Sequence, residues 1–182
     1  MEDIKNSSFN NSQAAARVGL VGGLMFIGFY IVTALTGWVT EKSTLVSVVN
    51  VVVVSGIFTF VAHKTITTQR DVGQNGIITF GEGFGSTMIA VLVSVAMSTL
   101  FAYVFMKFID PSIVETMKEM SLQALENADL QGADIDEAAE MMDKIISPGL
   151  IASSEFFMRL VWGAVIGVLV AAILPKNKPQ ID

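Results

Sequence analysis

The stretch VGLVGGLMFIGFYIVTALTGWVT, residues 18–40, holds 23 consecutive positions without a charged side chain. At about 1.5 Å of rise per residue a helix of that length reaches roughly 34 Å, enough to cross a hydrocarbon layer of about 30 Å. Glu41 and Lys42 alone separate it from a second uncharged run, Ser43 to Ala62. So short a connection forces the two runs into an antiparallel pair. The second run contains Val48-Val49-Asn50-Val51-Val52-Val53-Val54, a β-branched density that in water would suggest a buried strand. In a bilayer a lone strand leaves its backbone groups unsatisfied, so the run reads as helix.

Two further runs follow. Phe84 to Met106 is uncharged throughout, and Leu160 to Leu174 is uncharged up to Pro175. Extending the last run back to Phe156 takes in Arg159. An arginine at a helix start can snorkel to the headgroups, and Glu155 stands four residues before it as an intrahelical partner. The expectation is an all-α membrane protein, one membrane domain over 1–182. Its four spans are expected at about 18–40, 43–62, 84–108 and 156–174.

Composition agrees. Of 182 residues 52% are hydrophobic and 15% charged, and mean hydropathy is +0.62. Soluble domains carry about 25% charged residues. Cysteine is absent, which removes disulfides, thiolate metal sites and thiol nucleophiles. A net charge of −6 argues against nucleic acid as a partner. Met1 to Ala16 is polar and the apolar run after it exceeds a signal h-region, so the first span is expected to be retained.

Charge is segregated. Between about residues 110 and 152, and at Glu155 just beyond, eleven carboxylates stand against Lys118 and Lys144. Asp110-Pro111 reads as a helix start, and Ile113, Met117, Met120 and Ala124 recur at helical spacing. Asp134 with Glu137 resembles a capping box opening a second helix, with Ile135, Ala138, Met142 and Ile145 along one face. The segment is expected to form an extramembrane helical hairpin, its apolar faces packed together or on the bilayer. Glu126, Asp129, Asp134, Asp136, Glu137 and Glu140 are its candidate partner surface. A solvated polar face and a weak divalent-cation site are the alternatives, although EF-hand spacing is missing.

Lys5, Arg17, Lys64, Arg70, Lys176 and Lys178 fall on the side of the termini. Lys42, Lys107, Lys118, Lys144 and Arg159 fall on the other, mostly in helix ends or a long segment. The positive-inside rule then places both termini in the cytoplasm. Trp38 and Trp162 gather near the outer interface.

Gly19 with Gly23, and Gly163 with Gly167, have the four-residue spacing that lets helices approach closely. They are candidate packing positions within the chain, or between two copies of it. Asn50, the most polar residue well inside a span, is expected to face the bundle and bond to another helix. Gly81-Glu82-Gly83-Phe84-Gly85 lacks the Lys-Ser/Thr of a phosphate loop and reads as a flexible entry to the third span. Glu82 sits there as a candidate interfacial carboxylate. His63 is the only histidine, so neither a zinc site nor a Ser-His-Asp triad is expected. No cofactor is called for.

Several stretches carry a resemblance to a known family. They are Arg17-Val18-Gly19-Leu20-Val21-Gly22-Gly23, Gly76-Ile77-Ile78-Thr79-Phe80-Gly81-Glu82-Gly83-Phe84, the Met/Glu-rich segment and Ala171-Ala172-Ile173-Leu174-Pro175-Lys176. Together these resemble the domain-of-unknown-function family numbered 4199, small four-span membrane proteins chiefly of Bacteroidota. The resemblance implies a bacterial inner membrane and brings no activity or catalytic residue.

The expected function is that of a non-catalytic accessory or scaffold protein. Its partners are membrane lipid and either a second protein, docked on the acidic hairpin, or another copy of itself. The alternative is an oligomeric carrier or channel-like protein for lipid or a small solute, which requires a wet cavity around Asn50, Ser55, Ser94 and Ser98. A lipid enzyme using Glu82 stands third.

Overall fold

Ser43, Thr79 and Ser147 each open a helix in the same way. Each has an extended backbone, and its side-chain oxygen accepts a hydrogen bond from the amide three residues on. That bond satisfies one of the donors a helix start leaves unpaired. At Ser147 the next residue is Pro148, whose fixed φ suits the first helical position. The computed structural model describes residues 2–41, 43–73, 78–126, 137, 140–142 and 144–174.

The helices are α1 (Glu2–Leu35), α2 (Thr44–Thr68), α3 (Phe80–Val104), α4 (Ser112–Glu126) and α5 (Pro148–Ile173). A π-helical turn extends α2 over Gln69–Gly73, and another extends α3 over Phe105–Ile109. No strand occurs among the described residues. α1, α2, α3 and α5 are each long and apolar enough to cross a membrane. After α1, Gly37 takes φ +75 and the Val39 amide turns back to the Thr33 carbonyl at 3.2 Å. Glycine occupies that left-handed position without a Cβ clash.

The boundaries differ from the sequence expectation at both ends of the bundle. α1 stops at Leu35, because the Gly37 turn follows. α5 starts eight residues earlier than Phe156, because Ser147-Pro148 caps it. α3 begins at Phe80, so the glycines read as a flexible entry are already helical.

α3 is the central helix, packed against α1, α2 and α5, while α2 also meets α1 and α5. The middle of the core is Phe26, Phe58, Val61, Ala90, Val91 and Val95, with the Phe26 and Phe58 rings 4.9 Å apart. The outward faces are apolar too: Leu20, Leu24, Val48, Val52, Leu100, Val161 and Leu169 are all exposed. An apolar belt around an equally apolar interior is what lipid solvates and water does not.

α4 lies across one end of the bundle. Ile113 and Val114 are buried against Tyr30, Ala102, Met106 and Ala152, with Met117 beside them. The expected packing of the hairpin on itself or on the bilayer is therefore corrected for its first arm, whose apolar face covers the ends of α1, α3 and α5. Glu115 and Glu119 point outward. Of the second arm, Glu137, Glu140–Met142 and Lys144–Ile145 are described and helical.

Candidate functional site

The glycines make the bundle close enough to matter for any site within it. A Cβ at Gly19 would stand 2.6 Å from the Ala90 carbonyl oxygen, and one at Gly23 3.0 Å from Met97 Sδ. A Cβ at Gly163 would stand 2.6 Å from Val91 Cγ1, and one at Gly167 3.1 Å from Thr87 Cγ2. All four glycines thus face α3. Where α1 crosses α3, Ser94 Oγ donates to the Gly19 carbonyl at 2.8 Å, and the same hydroxyl contacts its own Ala90 carbonyl.

That closeness fails at one place. Asn50 lies on the α2 stripe defined by Val46 and Val54, four residues from each, and both valines are buried. Asn50 itself is exposed. The expectation that it bonds into a helix contact is corrected: the bundle leaves a cavity in front of it. The cavity has a volume of about 320 Å³ and is lined by Phe29, Tyr30, Thr33, Trp38, Asn50, Met106, Ser154, Glu155, Met158 and Arg159, among others.

Its polar wall comes from α5. At about 1.5 Å per residue Arg159 stands roughly 16 Å along α5 from Pro148. It does not snorkel outward, as the later helix start assumed. Its side chain is 15% exposed and forms an ion pair with Glu155, one turn earlier. Nη1 donates to Ser98 Oγ on α3 at 3.3 Å, and the guanidinium lies over the Phe26 ring at 5.1 Å. A charged guanidinium in a low-dielectric setting requires such partners.

Tyr30 completes the wall. Its ring is held edge-on by Phe101 and Phe105, with centroids 6.1 and 5.5 Å away. The residue is 8% exposed and its hydroxyl has no hydrogen-bond partner among the described residues. It lies within coulombic range of both Glu155 and Arg159. An unsatisfied buried hydroxyl costs about 1–3 kcal/mol; Thr65 and Thr99 bury one each as well, but of the three only Tyr30 lines this cavity.

A larger groove beneath α4, of about 640 Å³, adjoins the cavity. The two share Val39, Met117, Ile151 and Ser154. Met120, Ile145, Ile146 and Leu150 make most of the remaining wall apolar. The cavity that carries the polar groups and the apolar groove thus adjoin as one recess at the α4 end.

The other candidates lie elsewhere. Glu82 closes a capping box: the Thr79 amide donates to Glu82 Oε2 at 2.9 Å and the Glu82 amide donates to Thr79 Oγ1 at 3.3 Å. Its carboxylate is thereby engaged at the helix start. Ser94 and Ser98 are buried in helix contacts, and Ser55 accepts from Trp162 Nε1 at 3.0 Å. Glu126 ends α4, Glu137 and Glu140 are exposed, and Glu140 pairs with Lys144 at 2.9 Å. Asp129, Asp134 and Asp136 lie outside the described residues.

Sequence reading passed over Tyr30 and placed Arg159 at a helix end. The signal was present in the Glu155–Arg159 spacing, but it needed the Ser147-Pro148 cap to show how far inside the helix the pair sits.

Fold and recess together define an α-helical multi-pass membrane protein with a charged pair set inside one end of its bundle. The family described as "Protein of unknown function (DUF4199)" matches residues 17–176, and the chain belongs to that family. No curated protein and no solved structure matches it.

Proposed function

We propose that this is a non-catalytic membrane protein that binds an amphiphile in the recess at its α4 end, in a bacterial inner membrane with both termini cytoplasmic. The observation that carries the reading is that a cavity holding Arg159 and Glu155 shares four lining residues with an apolar groove under α4. Ionisable side chains inside a span mark functional sites by default. A recess polar at one end and apolar at the other suits a molecule divided the same way. Its volume lies within the range of small-molecule sites.

The rival readings have less support. Along a pathway through Ser94 and Ser98, both side chains are buried and their hydroxyls are bonded to neighbouring groups. Self-association through the glycines would compete with the α3 contacts they already make. A Glu82 enzyme would have to break its own helix cap.

Ser154 is exposed and borders both cavity and groove, so Ser154→Phe would obstruct the recess without entering the core. Wild-type protein purified in maltoside detergent should retain about one equivalent of native lipid after extended washing. S154F should retain much less at equal helicity. Equal retention by the two proteins would contradict the reading.

A further inference from the structure

We propose that the cavity takes the phosphate of a phospholipid head group, held by Arg159 and Tyr30, with the acyl chains leaving through the groove under α4. This rests on the amphiphile reading and adds the chemistry of the head.

A guanidinium carries five N–H groups and accepts nothing, and a tyrosine hydroxyl donates one. Besides lying over the Phe26 ring, Arg159 makes two polar contacts among the described residues, Nη1 to Ser98 and the ion pair from Nη2 to Glu155. Two bonds leave a fork-shaped donor with N–H groups to spare beside the cavity. The Tyr30 hydroxyl is buried in the same wall with no partner among the described residues. One unpaired hydroxyl beside the remaining N–H groups of a guanidinium calls for a ligand rich in acceptors, and phosphate oxygens match the guanidinium fork geometrically.

Charge sets the second condition. Glu155 already neutralises Arg159, so the pair supplies orientation and hydrogen bonds with little net charge. The Asn50 amide adds a neutral donor and acceptor across the cavity. A bare inorganic anion would enter an almost neutral, partly apolar enclosure and gain little for its lost hydration. An acyl-linked phosphate gains the burial of its chains in the groove as well. Apolar contact supplies affinity and the donors supply head-group choice.

The probes are short-chain phosphatidylethanolamine, dioctanoylglycerol and inorganic phosphate, each titrated into the full chain in maltoside and followed by Trp38 fluorescence. The phospholipid is expected to bind at least tenfold tighter than dioctanoylglycerol, and phosphate alone should not bind in the millimolar range. Tyr30→Phe removes only a hydroxyl that no described residue pairs, so its fold should be intact. It should weaken phospholipid about tenfold, as losing a bond to a charged acceptor does, and leave dioctanoylglycerol unchanged. Arg159→Lys, which keeps charge and loses the fork, should act in the same direction. Equal binding of phospholipid and dioctanoylglycerol would overturn the head-group assignment and leave the amphiphile site standing. Binding of phosphate alone at comparable affinity would overturn the lipid source. Binding of none would overturn both, and unchanged phospholipid affinity in Y30F would remove Tyr30 from the site.

Discussion

Arg159 on α5 donates from Nη1 to Ser98 Oγ on α3 at 3.3 Å, across 61 residues of sequence. The contact places a guanidinium inside the bundle and ties the last helix to the central one at the level of the recess. The partner that makes this tolerable is Glu155. Glu155→Leu should strand the buried charge and destabilise the protein by about 3 kcal/mol. That is the low end for a buried pair, because Glu155 keeps 27% of its side chain exposed. The double variant E155L/R159M should recover most of the loss. Unfolding of detergent-solubilised protein in mixed micelles measures both, and an additive double variant would mean that the two residues do not act as a pair.

Gly19 and Gly28 lie on the same helix and should respond oppositely to alanine. Gly19→Ala pushes a methyl to 2.6 Å from a backbone oxygen of α3, where neither side can yield cheaply. It should cost about 1–3 kcal/mol. Gly28 has nothing within 4 Å of its Cβ position, so Gly28→Ala should stabilise by up to about 1 kcal/mol through helix propensity. The same unfolding assay decides. Equal effects would show that α1 does not meet α3 through Gly19.

Ser94 supplies a polar link between α3 and α1 through its bond to the Gly19 carbonyl. Interhelical bonds of this kind average about 0.6 kcal/mol in membranes. Ser94→Ala should therefore cost less than about 1.5 kcal/mol, well below Gly19→Ala, since packing outweighs the hydroxyl at this crossing. A larger loss for S94A than for G19A would reverse that order.

Glu82 should behave as a capping residue. Gln serves a capping box as well as Glu, so Glu82→Gln should change stability by less than about 0.5 kcal/mol. Thr79→Ala should cost about 1 kcal/mol. Both changes should leave lipid retention untouched, because the cap is at the opposite end of the bundle from the recess. A loss of retained lipid in E82Q would contradict this division.

Much of the fold could be read from charge-free run lengths, because a bilayer admits helices and little else. The glycine pairs were legible for a similar reason: four-residue spacing is a property of one helix. What they pack against was not, since Ala90 and Val91 carry no mark of their partners. The site was less legible still. Asn50 shares a stripe with buried valines, and only the assembled bundle shows that nothing covers it. Tyr30 reads as an aromatic in an apolar run, and its lack of a partner is a fact of three dimensions. Arg159 was misplaced because hydropathy marks where a helix becomes apolar, whereas Ser147-Pro148 marks where it begins.

Trp38 lines the cavity, and Trp162, the second of the chain's two tryptophans, bonds Ser55 on an exposed face. The most direct measurement is quenching by phospholipid brominated on its acyl chains, in the single-tryptophan variants W162F and W38F. If the recess holds a lipid, Trp38 in W162F should be quenched saturably at low lipid mole fraction, with about one lipid per chain. Trp162 in W38F should be quenched only in proportion to the bulk lipid content. Proportional, non-saturating quenching of both tryptophans would contradict a lipid site at the α4 end.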